Sequence, residues 1–316
     1  MTICVSCGST NLEFVSKYLH YGEKFRELFP ELTILNCQQC NLLQVDHSSI
    51  DEQKLTDYYR YFYRKEIDFV SISKGHHVVW NERGCALARI AAQHIKLVNV
   101  SKIFEVGAGY GYNLMAFQKQ FENAQLFTDE LASNLLPQSV TQANLEDGPY
   151  DIIIMSHVLE HLMYPKEFVL RVARNLQQGG LLVIEVPNEG NGQFVYQQKN
   201  GIPFHTGHLT FFSEKVLRLF FHNNFKELCI KQFGTAGPTT AKMAKLYMLN
   251  RISYRLLGIF PPLLRGAERL YKFIMERKIA TALNFSNDTD TFDKVFLRIV
   301  LIREDDSKNC LPLEET

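Results

Sequence analysis

Two groups of residues in this chain have side chains and a spacing that suit a chemical role. One is a set of paired cysteines, and the other is a glycine-rich run that follows an acidic residue. The cysteines form two C-x-x-C pairs, Cys4 with Cys7 and Cys37 with Cys40, and each pair ends at a turn. Four thiolates at such spacing are the usual ligands of a tetrahedral structural zinc ion, a closed site with no open position for catalysis. The sequence therefore predicts a structural Zn²⁺ bound by these four cysteines.

The glycine-rich run follows a short apolar segment and precedes a helical pattern. Its members are Glu105, Gly107, Ala108, Gly109 and Gly111. A strand, a glycine turn and a helix in this order form the first nucleotide-binding unit of a doubly wound sheet. The dinucleotide fingerprint requires a small residue at position 112, where this chain has Tyr112. A carboxylate at the strand end repels a pyrophosphate but attracts an ammonium group, which favours an adenosine cofactor with an amino-acid tail.

This E-x-G-x-G-x-G run resembles motif I of the class I methyltransferases that use S-adenosylmethionine (SAM). The resemblance implies an α/β fold with a doubly wound, seven-stranded Rossmann-like sheet, and Glu105 and the glycine turn at the methionine end of SAM. Nucleotide-binding folds hold ribose hydroxyls with an acidic group about 20 residues beyond the glycines. Asp129 and Glu130 both fit that position, and the sequence does not choose between them. Asn144 and Leu145, after the predicted third strand, are expected to face the adenine.

A second motif follows the apolar strand predicted over Tyr150–Met155. H-x-x-E-H, residues 157–161, matches an inverted zinc-protease motif, but that motif lies within a long helix, whereas here it ends a parallel strand. The segment instead resembles the "vLEHl" signature after the fourth strand of many SAM methyltransferases. The resemblance implies that His157 borders the cofactor and His161 the acceptor.

A long Gly/Asn/Gln-rich segment, residues 189–212, is predicted to be a functional loop over the carboxyl edge of the sheet. With the cysteines, a tyrosine-containing linker and a late H-L-x-x-F-S element, it resembles sugar C-methyltransferases that act on nucleotide-linked keto-sugars. The Tyr-His-Glu-His run of that family aligns with residues 205–208, where only the final histidine is retained. The resemblance implies that His208 is the general base, together with His205 or His161, for C- or O-methylation of a sugar.

The predicted organisation has four parts. These are a four-cysteine module over residues 1–46, a helical linker or lid over 47–100, a SAM-binding domain over 101–306 and a tail over 307–316. A helical insertion is expected within the third part, at about 238–285. Residues 241–280 hold nine Lys/Arg against two Glu, interleaved with apolar residues. We expect this insertion to cover the active site, to form a dimer interface or to contact an anionic membrane or a phosphorylated acceptor.

Composition narrows the function classes. The 34 basic and 34 acidic residues balance, so the overall charge does not indicate a nucleic-acid partner. The chain also lacks the Asn/Asp-Pro-Pro-Tyr/Phe motif of enzymes that methylate base or amide nitrogens. Neither a secretory signal nor a run of about 18 apolar residues is visible, and we expect a cytoplasmic protein with a small-molecule acceptor. The alternatives are an NAD-dependent oxidoreductase and a non-catalytic adaptor with an inert methyltransferase fold.

Overall fold

The structure, a computed structural model, describes residues 2–67, 74–95, 99–131, 136–190, 192–201, 206–221, 225–233 and 296–303. The predicted insertion at about 238–285, the tail over 307–316 and His205 lie outside the described residues.

Within the described residues, the amino-terminal part contains three strands and four α-helices. In chain order these are β1 (Leu12–Lys17), α1 (Glu23–Leu28), β2 (Thr33–Cys37), β3 (Leu43–Val45), α2 (Glu52–Tyr61), α3 (Tyr63–Ile67) and α4 (Lys74–His94). The Asp51 carboxylate accepts a hydrogen bond from the backbone N–H of Lys54 (2.9 Å), which caps α2.

The central part begins at the glycine-rich run. It contains β4 (Lys102–Val106), α5 (Tyr112–Gln120), β5 (Gln125–Thr128), β6 (Val140–Gln142), β7 (Tyr150–Ser156), α6 (Pro165–Asn175), β8 (Leu176–Pro187), α7 (Gly192–Lys199), β9 (Thr210–Phe211), α8 (Glu214–Phe221), β10 (Phe225–Phe233) and β11 (Phe296–Arg303). Seven strands form one sheet in the order β10-β11-β8-β7-β4-β5-β6. Strands β8, β7, β4, β5 and β6 run parallel to one another, whereas β11 runs antiparallel to both of its neighbours, β8 and β10. This confirms the predicted α/β fold with a mostly parallel seven-stranded sheet.

The sheet is buried on both faces because its central strands are continuous apolar runs. On one face, Ile103 and Ile152 pack with Leu114 of α5 and Leu87 of α4. On the other face, apolar side chains of β4 and β7 pack with those of α6 and α8. The segments that follow β4, β5, β7 and β8 meet at the carboxyl edge of the sheet and line one cavity there.

A second, four-stranded antiparallel sheet has the order β1-β2-β3-β9. Its last strand comes from the segment between β8 and α8, so the amino-terminal module and the central part share this sheet. Leu43 pairs with Phe211, and the Val45 N–H donates to the Leu209 carbonyl (2.8 Å). The predicted loop over 189–212 is therefore wrong in part, because it contains α7 and β9. Phe194 and Phe211 are buried, and their rings stack with centroids 4.2 Å apart. This packing stabilises regular structure in a segment whose polar composition favours a loop.

Among the described residues, no helix has both the length and the apolar character needed to cross a bilayer.

Candidate active site

A cavity of about 1210 Å³ opens at the carboxyl edge of the central sheet. One half is bordered by the glycine-rich turn, including Glu105, Gly107 and Asp129, and the other by Tyr59, His161 and His208. Ligand pockets in proteins are commonly about 300–1,000 Å³. The cavity is therefore large enough for a nucleotide-sized cofactor and a second small molecule side by side.

The glycine-rich turn follows β4 and adopts a backbone that other residues rarely take. Gly107, Gly109 and Gly111 have φ of +58°, +59° and +71°, in the left-handed region that glycine tolerates. Carboxylates from the loop after β5 hold the turn in place. Asp129 Oδ1 accepts the Gly107 N–H at 2.9 Å, and Glu130 Oε2 accepts the Gly109 N–H at 2.6 Å. Both acidic candidates thus contact the turn, with Asp129 partly exposed and Glu130 buried.

Glu105 lies at the end of β4 with its carboxyl group buried in the wall of the cavity. Asn113 Nδ2 donates to Glu105 Oε1 at 2.6 Å, whereas Oε2 has no hydrogen-bond partner among the described residues. Burial, together with the nearby charges of Glu130 and Asp129, raises the pKa of Glu105 to about 8. A buried acceptor without a donor is costly, so this oxygen fits a ligand that brings a hydrogen-bond donor or a positive charge.

Asn144 and Leu145, the residues expected to face the adenine, lie outside the cavity lining. The Asn144 N–H donates to Asp147 Oδ2 (2.8 Å), in a capped turn over Leu145–Asp147. Leu145 is buried in the core beneath that turn. Neither Asn144 nor Leu145 lines the cavity, so a role with adenine remains a prediction.

His157 lies at the junction of the two halves of the cavity, with a left-handed φ of +56°. Its ring lies between two buried carboxylates, with Nδ1 3.3 Å from Glu160 and Nε2 3.3 Å from Glu185. Arg83 and Arg298 both pair with Glu185. Burial lowers the pKa of His157, but the two carboxylates outweigh it and the net shift is upward. His157 thus belongs to a largely buried ionic cluster, of which His157 and Arg83 line the cavity.

His161 and His208 meet in the other half, with ring centroids 4.7 Å apart in an edge-to-face contact. The Nδ1 atom of His161 is 2.9 Å from the Gly207 carbonyl, and that of His208 is 2.8 Å from Glu189 Oε2. Burial lowers the pKa of each imidazole to about 4. Both rings are therefore neutral at physiological pH and able to accept a proton.

Two tyrosines of the linker border the same half. The Tyr59 hydroxyl donates to the Gly207 carbonyl at 2.7 Å, and the Tyr63 hydroxyl lies 3.3 Å from His161 Nε2. Tyr58, a third tyrosine of the linker, is buried and its ring contacts both of theirs. The linker thus packs against the four-stranded sheet and also contributes two hydroxyls to the cavity wall.

Sequence reasoning missed Glu189, Arg83 and Glu185. Their signal is weak because Glu189 follows a strand end within a polar segment, and Arg83 lies in a helix whose contacts with β8 are long-range. The sequence offers one hint, which is that Glu185 interrupts an apolar run predicted to be a buried strand. A glutamate is almost never fully buried unless it is paired, and Glu185 is indeed buried.

The four cysteines of the amino-terminal module converge at one point. Their sulfur atoms all lie within 4.8 Å of one another, with Cys4 and Cys40 3.5 Å apart and Cys7 and Cys37 3.6 Å apart. Four sulfurs around zinc at about 2.3 Å would be about 3.8 Å apart. All four are free thiols. Burial raises the pKa of Cys37, but backbone N–H groups of Cys40 and Gln39 outweigh it and bring the value to about 7. The donor set and its spacing fit a tetrahedral metal ion.

A family model described as a methyltransferase domain matches residues 44–226, more than half of the chain. No curated protein matches the sequence. Among solved structures, N-methyltransferase NodS from Bradyrhizobium japonicum in complex with S-adenosyl-L-homocysteine is 11% identical over 80% of this chain and 98% of its own (TM-score 0.42). Loganic acid methyltransferase is 10% identical over 76% and 98% (TM-score 0.45), and the [4+2]-cyclase SpnF is 14% identical over 70% and 80% (TM-score 0.41). These three likenesses are too distant to support an argument about substrate or reaction.

Proposed function

The chain belongs to the methyltransferase-domain family, and on that premise we propose that it transfers the methyl group of SAM to a small-molecule acceptor. The observation that carries this proposal is the buried Glu105 Oε2, which lies beside three left-handed glycines and lacks a hydrogen-bond partner among the described residues. An ammonium group, such as that of the methionine tail of SAM, would satisfy this oxygen. Bound SAM supplies a sulfonium-activated methyl group, which is the electrophile of the reaction.

In this proposal the first half of the cavity binds the cofactor. Glu105 binds the amino group, and the close backbone approach at Gly107 and Gly109 leaves room for the ligand. Asp129 or Glu130 holds the ribose hydroxyls, since both carboxylates border the turn. The residues also argue against a nicotinamide cofactor, because Tyr112 replaces the small residue of the dinucleotide fingerprint and a Glu105 carboxylate would repel a pyrophosphate.

The second half of the cavity receives the acceptor. A neutral His208 accepts the acceptor proton, while His161 and the hydroxyls of Tyr59 and Tyr63 orient the acceptor by hydrogen bonds. Such groups suit a hydroxylated small molecule, and the resemblance to sugar C-methyltransferases favours a nucleotide-linked or glycan sugar. His205 lies outside the described residues, so its contribution remains a prediction.

A structural zinc ion bound by Cys4, Cys7, Cys37 and Cys40 completes the proposal. Its support is the convergence of four free thiols at nearly tetrahedral spacing. The ion would stabilise the module that contains β3, the strand that pairs with β9 next to His208. Zinc therefore takes no part in the chemistry but helps to hold the segment that bears the base.

The experiment is transfer of a labelled methyl group from SAM to a panel of nucleotide-linked keto- and deoxysugars, with mass spectrometry to locate the methyl group. A methyl group on a ring carbon supports the sugar C-methyltransferase proposal, and one on oxygen supports O-methylation with the same base. Bound SAM without transfer would contradict a sugar acceptor. Failure to bind SAM would overturn the proposal and favour the non-catalytic adaptor, and NAD(H) binding would favour the oxidoreductase.

A further inference from the structure

Glu189 lies against the proposed base. It follows β8 by two positions, and its carboxylate is 2.8 Å from the Nδ1 atom of His208. Both side chains are more than nine-tenths buried, at 6% exposed for Glu189 and 7% for His208. A buried carboxylate at this distance from an imidazole forms a charge-assisted hydrogen bond rather than a solvated surface pair.

We propose that Glu189 is a positioning residue that orients His208 and holds it in the tautomer whose basic nitrogen is Nε2. The Glu189 carboxylate accepts the Nδ1–H, which leaves the lone pair of the ring on Nε2. This inference rests on the proposed function, since it assigns the partner of the base in that reaction.

The backbone holds the two partners at a fixed separation. The N–H groups of Glu189 and Gly190 both donate to the Phe212 carbonyl, at 3.0 and 2.8 Å. The residue after His208, Leu209, donates its N–H to the Glu160 carbonyl at 2.7 Å. Because both segments are bonded to their surroundings on either side of the pair, its geometry is set before any ligand binds. Such preorganisation is what an orienting residue contributes to catalysis.

The Glu189 carboxylate also offsets the cost of forming a positive charge on a buried histidine. Burial lowers the pKa of His208 to about 4, and the nearby His157 adds to that effect while Glu160 opposes it. The ring is thus neutral and ready to accept a proton, but the imidazolium that forms is unfavourable there. In the proposed step, the acceptor O–H or C–H bond breaks, its proton binds Nε2, and its electron pair forms the bond to the methyl group. The methyl–sulfur bond breaks at the same time, and its electron pair stays on the sulfur of the departing S-adenosylhomocysteine. Glu189 stays ionised and stabilises the imidazolium.

The partner of the Nδ1 atom distinguishes the two buried histidines. His161 has a backbone carbonyl at its Nδ1 atom, where His208 has a carboxylate. A neutral carbonyl fixes a tautomer but stabilises an imidazolium less than a full negative charge does. The geometry therefore points to His208 as the base and to His161 as a hydrogen-bonding neighbour.

The first test needs no acceptor. Two-dimensional ¹H–¹⁵N spectra of the full chain with ¹⁵N-labelled histidine report the tautomer of each ring, and His208→Gln assigns its signals. We expect the Nδ1–H tautomer for His208 in the wild type and in Glu189→Gln, and a mixture of tautomers in Glu189→Ala. An Nε2–H tautomer in the wild type, or an unchanged Nδ1–H tautomer in Glu189→Ala, would overturn the inference whether or not an acceptor is known.

The second test uses an acceptor that the wild type methylates. Glu189→Gln should lower kcat by about 10- to 100-fold with KM and SAM affinity unchanged, because it keeps the tautomer but removes the negative charge that stabilises the imidazolium, and replacing the partner of a functional histidine has effects of about this size. Glu189→Asp should recover part of that loss, and exposed Glu146→Gln should retain wild-type rates. An active wild type with an equally active Glu189→Gln contradicts the inference, whereas an inactive wild type counts against the proposed function alone.

Discussion

Replacing Glu105 with glutamine tests the cofactor site through its pH dependence. The substitution keeps a hydrogen-bond acceptor of the same shape but removes the negative charge opposite the proposed ammonium group. A hydrogen bond to a charged partner contributes about 1–1.5 kcal/mol more than a neutral one, or roughly 5- to 10-fold in affinity. We therefore expect Glu105→Gln to bind S-adenosylhomocysteine about 5- to 10-fold more weakly than the wild type at pH 8.

The sign of the pH effect follows from the raised pKa of Glu105. With a pKa of about 8, the carboxyl group of the ligand-free protein is mostly protonated at pH 6 and gains its charge as the pH rises. A peptide amino terminus loses its proton at about pH 8, and the amino group of a free amino acid such as S-adenosylhomocysteine does so at higher pH because its own carboxylate stabilises the ammonium form. The wild-type affinity should thus rise from pH 6 to pH 8 and fall only at the top of the range, and at pH 6 the two proteins should bind within about 2-fold of each other, since both then present a neutral acceptor.

The assay is isothermal titration calorimetry with S-adenosylhomocysteine, which has the same amino-acid tail as SAM, from pH 6 to pH 9.5. Glu122→Gln removes an exposed carboxyl group beyond the end of α5 and should follow the wild type throughout. Equal affinity of wild type and Glu105→Gln at pH 8, or parallel curves across the range, would refute the assignment of Glu105 to the ammonium group.

Three further predictions concern the metal site, the fold and the ribose. Cys37→Ser should abolish bound zinc in metal analysis and lower methyl transfer more than SAM affinity, because β3 supports the segment next to His208; an unchanged zinc content would contradict the four-cysteine site. Gly190→Ala should reduce the free energy of unfolding, measured in urea, by about 1–3 kcal/mol, because the added Cβ would lie 2.6 Å from the Ser213 backbone nitrogen. The Cβ of Gly192→Ala has open space, so this control should leave the free energy of unfolding unchanged. Asp129→Asn should weaken adenosine binding about 10-fold while buried Glu130→Gln mainly lowers the unfolding midpoint, and the reverse result would exchange their roles.

The parts of the fold that local patterns determine were predictable. The continuous apolar run of β7 and the E-x-G-x-G-x-G turn indicated the parallel sheet and its nucleotide edge, because both signals lie within a few adjacent residues. The convergence of the cysteines was likewise expected from their spacing. The pairing of β3 with β9 was not, since it joins segments about 165 residues apart and a two-residue strand leaves almost no periodic signal.

The candidate site shows the same division. His208 and Glu105 were predicted from motifs, but Glu189 became visible only when the chain brought it 2.8 Å from His208. A lone glutamate in a polar segment has the same sequence signature as a solvated surface residue. The burial of Glu185 between Arg83 and Arg298 likewise depends on three distant elements, α4, β8 and β11. The local sequence shows only an acidic residue in an apolar strand and does not identify its distant partners.

In the proposed reaction, one cavity places a bound methyl donor beside a histidine base. Single-turnover transfer from labelled SAM, bound to wild type and to His208→Gln, to an acceptor that the wild type methylates tests this arrangement. We expect equal SAM affinity for the two proteins and a rate about 10²- to 10⁴-fold lower for His208→Gln, the usual contribution of a general base. Undiminished transfer by His208→Gln would contradict it.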